Sequence, residues 1–183
     1  MQNNEIKAII FDLDGVLFKA YNDNGNYLWS RSIKDDLGIT SKHFSVIFSE
    51  KWDRIIRGKM DLNEHLKSIF QEKIFKDLTT TPQQYIQYWL DHDHHVNQDV
   101  LSLVKSLKIQ CYLGTNQEAL RTSHILNTVG SYFKSCFASF QISFIKPERQ
   151  FFLHIENALS LLPHELLLVD DMKINTDSAK NYG

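Results

Sequence analysis

Asp12 and Asp14 stand one residue apart, directly after the apolar run Ala8-Ile-Ile-Phe11. Side chains two positions apart in an extended segment point the same way, so both carboxylates face one place. Gly15 then lets the chain turn sharply behind them. Neighbouring carboxylates repel one another, and become tolerable when a cation bridges them or when one keeps its proton as a general acid. A calcium loop also opens with D-x-D, but Val16 and Leu17 occupy the positions where a ligand and the loop glycine belong.

Three more places carry chemistry in the same position, immediately after or near an apolar run. Asp170-Asp171 follows Leu166-Leu-Leu-Val169; Asp171 could serve as a helix N-cap, yet a second pair of acids points to a hard cation with oxygen ligands. Thr115-Asn-Gln-Glu118 has the form of a capping box, and a hydroxyl beside free N–H groups at a helix start is also an anion site. Lys146 precedes Pro147, which holds it extended and opens the next helix. A lone lysine is ordinarily a solvated charge; beside clustered acids and a bound anion it becomes a structural cation. Together these groups suit phosphoryl transfer through an aspartyl-phosphate: a carboxylate attacks, Mg²⁺ joins carboxylate and phosphate, and a second acid protonates the leaving oxygen. Phosphate-ester hydrolysis is slow enough uncatalysed to need several charge-stabilising groups at once.

The elements that position them read as alternating strands and helices. Apolar runs at 6–11, 109–113, 136–140 and 166–169 have strand length. Helical patterns follow at 98–107, 117–129, 147–161 and 172–181, so the expected fold class is α/β, a Rossmann-like parallel sheet whose ligands sit at the carboxyl ends of the strands. Residues 18–97 break the rhythm with most of the aromatic residues and no strand pattern. Helices are expected near 26–37, 42–57, 62–75 and 82–91, with a capping box at Asp61-Leu-Asn-Glu64 and an N-cap plus proline at Thr81-Pro82. A crossover needs far fewer residues, so 18–97 is expected to be an inserted helical cap on a core of 1–17 and 98–183. Asp91-His-Asp-His-His95 has metal-ligand residue types but no partner cluster elsewhere in the sequence, and reads as a solvated helix end and hinge.

The totals exclude several classes. With 183 residues, 43% hydrophobic and 23% charged, the chain suits a folded domain rather than a disordered one. A net charge of -2 argues against nucleic-acid binding. No apolar run approaches the roughly 18 residues of a membrane span, and no signal sequence opens the chain. Cys111 and Cys136 form no disulfide framework. A cytoplasmic protein without nucleic-acid or membrane partners is the expectation; its oligomeric state is not encoded legibly.

With the four sites in view, the chain resembles the haloacid dehalogenase-like hydrolases over its whole length. The motifs are Phe11-Asp-Leu-Asp-Gly-Val-Leu17, Gly114-Thr-Asn116, Lys146-Pro147 and Asp170-Asp171-Met-Lys-Ile-Asn175, in order. The insertion is similar to the helical cap of the subgroup holding haloacid dehalogenases, phosphoglycolate phosphatases, β-phosphoglucomutases and sugar phosphatases. The resemblance implies Asp12 as nucleophile and Asp14 as general acid then base. It implies Thr115, Asn116 and Lys146 as phosphoryl-binding groups, with Lys146 also supporting the nucleophile. It also implies Mg²⁺ held by Asp12, Asp171 and the backbone carbonyl of Asp14, with Asp170 and Asn175 as supporting or secondary ligand groups. Asp14 favours phosphate esters over halides, since an alkoxide needs a proton on leaving and a halide does not. The expected activity is a Mg²⁺-dependent phosphatase for a small phosphorylated metabolite; a phosphomutase and a silent binding module are the alternatives. The resemblance also leads one to expect a further strand beyond Gly183 covering the sheet edge, so the chain reads as a truncated form.

Overall fold

Four strands, Ala8–Phe11 (β1), Gln110–Thr115 (β2), Cys136–Ala138 (β3) and Leu166–Val169 (β4), form one parallel sheet in the order β3-β2-β1-β4. The computed structural model describes residues 5–183. The register pairs Phe11 with Leu113 on one side and with Val169 on the other. The carboxyl ends of β1 and β4 therefore finish level, β2 runs on to Thr115, and whatever follows each strand shares one rim.

The continuous apolar character of β1 has a direct cause. Ile9 and Phe11 pack on one face with Leu113, Leu101, Val104 and Ile125, while Ala8 and Ile10 pack on the other with Tyr112, Phe151 and Ile155. Both faces are covered by helices, so no alternation is possible. Gln98–Ser106 (α6) and Ala119–Val129 (α7) supply the first cover, and Arg149–Leu159 (α9) and Lys173–Tyr182 (α10) the second. The sheet with helices on both faces is the expected Rossmann-like α/β arrangement.

Between β1 and α6 the chain builds the helices expected of a cap: Ile33–Leu37 (α1), Ser41–Ile47 (α2), Trp52–Ile56 (α3), Leu62–Ile69 (α4) and Pro82–His92 (α5). Its own core gathers Trp29, Ile47, Ile55, Leu66, Tyr85 and Trp89. Two expected caps are present: Asp61 accepts from the Glu64 N–H, and Thr81 and Gln84 form a reciprocal box with Pro82 at the helix start. Three expected long helices are instead interrupted: the one over 62–75 ends at Ile69, ahead of a separate 3-10 turn at Lys73–Phe75. The 26–37 stretch holds only a 3-10 turn at Leu28–Ser30 and the short α1, and 42–57 breaks after Ile47, where Trp52 N–H donates to Ser49 O and starts α3 afresh. The 136–140 run also stops early: Ser139–Ile142 is a short helix (α8), where the Phe140 N–H donates to Gln117 O and the Ser139 hydroxyl to Ile56 O.

The chain enters and leaves the cap through paired segments. Lys19 N–H donates to His95 O and Asn97 N–H to Leu17 O, both at 2.8 Å, so the two connections cross side by side at a hinge.

Candidate active site

The parallel register brings Asp12, Asp170 and Asp171 together at one rim. Asp12, one residue past β1, is buried and accepts from the Leu13 N–H at 2.7 Å. Lys146 reaches in with its ammonium 2.8 Å from Asp12 Oδ1 and 2.6 Å from Asp170 Oδ2. Asp170 is fully satisfied: Oδ1 accepts from Met172 N–H and Asn175 Nδ2, and Oδ2 from Lys146 and again from Asn175. Asp170 is thus the brace that holds Lys146 and the start of α10. Asp171 does not cap α10, whose N-cap is Met172. Its carboxylate lies against Gly15 instead; a Cβ there would come 2.1 Å from Asp171 Oδ2, and Gly15 has φ +81. Two separate demands, a left-handed backbone and room for a carboxylate, explain glycine at this position.

Oxygens of Asp12, Asp170 and Asp171 lie within 4.8 Å of one another. Against Lys146 alone, three carboxylates leave two negative charges uncompensated, and oxygen-only donors suit a hard divalent cation. The acidities agree. Burial pushes the Asp12 carboxyl up to about 6, with Asp170 adding to the rise and Lys146 opposing it. Burial, then Asp170, raises Asp171. Both acids resist ionising together without a further cation.

The Asp14 side chain stands apart from that cluster. Its two oxygens accept from both Nη atoms of Arg121, at 2.7 and 2.6 Å, and Gln117 Nε2 donates to Oδ2 at 3.0 Å. The Asp14 side chain is thus committed to Arg121 and Gln117.

Thr115 and Asn116 lie at the tip of β2, with Thr115 buried. The expected capping box is absent: α7 is capped by Glu118, whose carboxylate accepts from the N–H groups of Leu120 and Arg121. Thr115 is therefore not engaged as a cap. The Asn116 amide is engaged: Nδ2 donates to Lys146 O and Oδ1 accepts from Lys146 N–H, both 2.8 Å. This reciprocal pair clamps the backbone of Lys146, next to the cis peptide to Pro147. Glu148, not Pro147, stands at the N-cap of α9.

Sequence reasoning missed Arg121, Gln117 and Asp93. Arg121 is buried and also receives Asp93, with Nε to Asp93 Oδ2 at 2.6 Å. A cavity of about 140 Å³ opens between cap and core, walled by Asp14, Asn116, Gln117, Tyr21, Tyr27 and Trp52. A larger apolar groove of about 300 Å³ lies away from the carboxylates, along β4, α9 and α10.

The family profile of the haloacid dehalogenase-like hydrolases matches residues 6–183. No curated protein sequence matches the chain. Among solved structures, a HAD family enzyme, bt-2542 from Bacteroides thetaiotaomicron, superimposes with a TM-score of 0.79 at 20% identity, covering 98% of this chain and 91% of that one. The same enzyme in complex with magnesium and inorganic phosphate gives 0.77 at 18% identity, covering 97% and 91%. L-2-haloacid dehalogenase from Xanthobacter autotrophicus gives 0.62 at 15% identity, covering 97% and 75%. No described helix is long and apolar enough to cross a membrane.

Proposed function

Because the chain belongs to the haloacid dehalogenase-like hydrolase family, we propose that it is a cytoplasmic Mg²⁺-dependent phosphatase of a small phosphorylated metabolite, acting through an aspartyl-phosphate on Asp12. Residues 1–17 and 98–183 form the catalytic core in this reading, and 18–97 the cap that covers it. One observation carries it: a buried carboxylate, Asp12, sits against Lys146 while a second acid two residues on, Asp14, remains part-exposed at the cap–core cavity.

Asp12 Oδ attacks phosphorus as the ester P–O bond breaks, and Asp14 gives its proton to the departing oxygen. Asp14, now a carboxylate, takes a proton from water as that water attacks the same phosphorus, and Asp12 is released with inorganic phosphate. Lys146 neutralises nucleophile and transferring group, and Thr115 donates a hydroxyl to the phosphoryl oxygens. The Asn116 side chain contributes by fixing Lys146, which leaves its main-chain N–H as the group that faces the anion. Asp12, Asp171 and the Asp14 carbonyl would hold Mg²⁺, and the ion supplies charge neutralisation between Asp12 and the phosphate. Asp170 and Asn175 keep Lys146 and α10 in place.

The dehalogenase among the structural neighbours marks the competing chemistry. An acid placed to protonate an alkoxide supports the phosphate ester, because halide departure has no use for one. Asp12→Asn is expected to abolish phosphate release from p-nitrophenyl phosphate with the fold unchanged by circular dichroism. Turnover equal to wild type would refute Asp12 as nucleophile.

A further inference from the structure

The cavity beside Asp14 has two unlike walls. One is aromatic and comes from the helical segment between β1 and α6. Tyr21 and Tyr27 pair across a tight turn in which Asn22 Oδ1 accepts from the N–H groups of Asn24 and Asn26, and their ring centroids lie 4.9 Å apart. Tyr27 meets Phe48 at 5.9 Å, and Phe48 meets Trp52 at 4.6 Å. Aromatic residues spaced four apart, as Phe48 and Trp52 are, ordinarily line a core. Trp29 and Trp89, each 4% exposed, do so behind this wall. Tyr21 is exposed, and Tyr27, Phe48 and Trp52 are part-buried, so four rings keep surface for the cavity.

The other wall is polar, and its donors are committed. Asn116 bonds the Lys146 backbone, Gln117 Nε2 donates to Asp14, and Arg121 divides its donors between Asp14 and Asp93. The Asp91–His95 run, expected to be solvated, supplies Asp93, which is buried, and His95. Burial and then His94 lower the His95 pKa, so that ring is neutral at pH 7. Two acids, Asp14 and Asp93, therefore stand against two cations, Arg121 and Lys19. A space without net charge disfavours a second ionised group on the ligand. Engaged donors leave the hydroxyls of a sugar short of partners. At about 140 Å³ the cavity takes one six-membered ring, since cavities of about 150 Å³ hold benzene.

We propose that the substrate of this site is the phosphate ester of a neutral alcohol bearing a single aromatic ring, which packs against Tyr27 and Trp52 while the ester reaches Asp12. The inference rests on the phosphatase reading and adds the class of leaving group. A planar ring meets ring faces and edges along this wall, which is favourable beyond the area buried. A saturated ring of equal size buries similar area without that gain, a sugar adds hydroxyls, and a nucleoside is too large.

Benzyl phosphate, cyclohexylmethyl phosphate, glucose 6-phosphate and adenosine 5′-monophosphate are all esters of primary alcohols, so their kcat/KM values compare the fit of the cavity. Wild type with Mg²⁺ is expected to favour benzyl phosphate about threefold or more over cyclohexylmethyl phosphate, and about tenfold or more over the other two. Trp52→Leu should bring the first ratio close to one, through KM rather than kcat. Trp52→Phe keeps a ring and should restore the preference. Equal kcat/KM for benzyl and cyclohexylmethyl phosphate in wild type, or a higher value for the sugar or nucleotide ester, overturns the inference. That wild-type comparison decides it even where Trp52→Leu does not fold. Absence of turnover on all four esters and on p-nitrophenyl phosphate defeats the phosphatase reading instead. In that case quenching of tryptophan fluorescence reads the ring preference alone: tighter binding of benzyl than of cyclohexylmethyl phosphate supports it, and equal binding overturns it.

Discussion

At the scale of single residues the decisive balance is between burial and charge. Lys146 is buried between Asp12 and Asp170, so Lys146→Met leaves both acids without their cation. Removing one partner of a buried pair is expected to destabilise the protein by about 3–5 kcal/mol, read by denaturant unfolding; a loss under about 1 kcal/mol would contradict the burial argument. Asp12 also sets a pH dependence. Its native pKa of about 6 lies above the ordinary 3.8, so between those values the folded protein keeps a proton that the unfolded chain has released. Stability of the cation-free protein therefore falls as pH rises through that window, by about 3 kcal/mol from this group. Mg²⁺ needs the ionised acids, so its addition should raise the melting temperature more at about pH 7.5 than at about pH 5. An equal or larger rise at the lower pH would contradict the assignment of the acidic cluster. Asp12, Lys146, Asp170 and Asp171 were legible in the sequence because three of them follow apolar strands at once and the fourth precedes a proline. Arg121 and Asp93 were not, because their partners lie 28 and 107 residues away and nothing in a helix start or a histidine-rich hinge marks a buried guanidinium.

Elements place these residues, and their local rules held unevenly. Thr81 caps α5 through the Gln84 N–H in the manner its sequence specified. Thr81→Ala should destabilise the protein by about 1 kcal/mol in thermal or denaturant unfolding, with turnover intact; a loss of activity larger than the loss of folded protein would contradict a purely capping role. The Thr115 box failed where that of Thr81 held, because the chain stays extended through Thr115 in β2 and Glu118 lies one residue ahead of α7. The long helix expected over 42–57 breaks after Ile47, and the Trp52 N–H turns to Ser49 O as α3 starts. The Gly15 turn joins element to site. Gly15→Ala must shift either a positive-φ backbone or the Asp171 carboxylate, and is expected to weaken Mg²⁺ binding about tenfold or more by calorimetry. Unchanged affinity would remove Asp171 from the cation site.

For the whole molecule, the helical character of the stretch between β1 and α6 was legible because some eighty residues there carry no strand pattern. How cap meets core was not, since it rests on contacts between distant segments. Arg57 at the end of α3 donates both Nη atoms to Glu148 at the start of α9, and the Ser139 hydroxyl donates to Ile56 O nearby. Together with the crossing at 17–19 and 95–97, this joins the helical segment to the sheet core at two points. Glu148→Gln is expected to raise KM for an aryl phosphate severalfold, and added salt should raise KM in wild type but little further in the variant, since screening acts on the same pair. A salt response equal in both would show that the latch lies elsewhere.

The nucleophilic role of Asp12 is tested most directly by acid-quenching the protein during turnover with Mg²⁺ and an aryl phosphate, then mapping it by mass spectrometry. One phosphoryl group on the peptide containing Asp12, absent from Asp12→Asn, is the predicted result. Sustained phosphate release with no covalent phosphoryl on that peptide would contradict it.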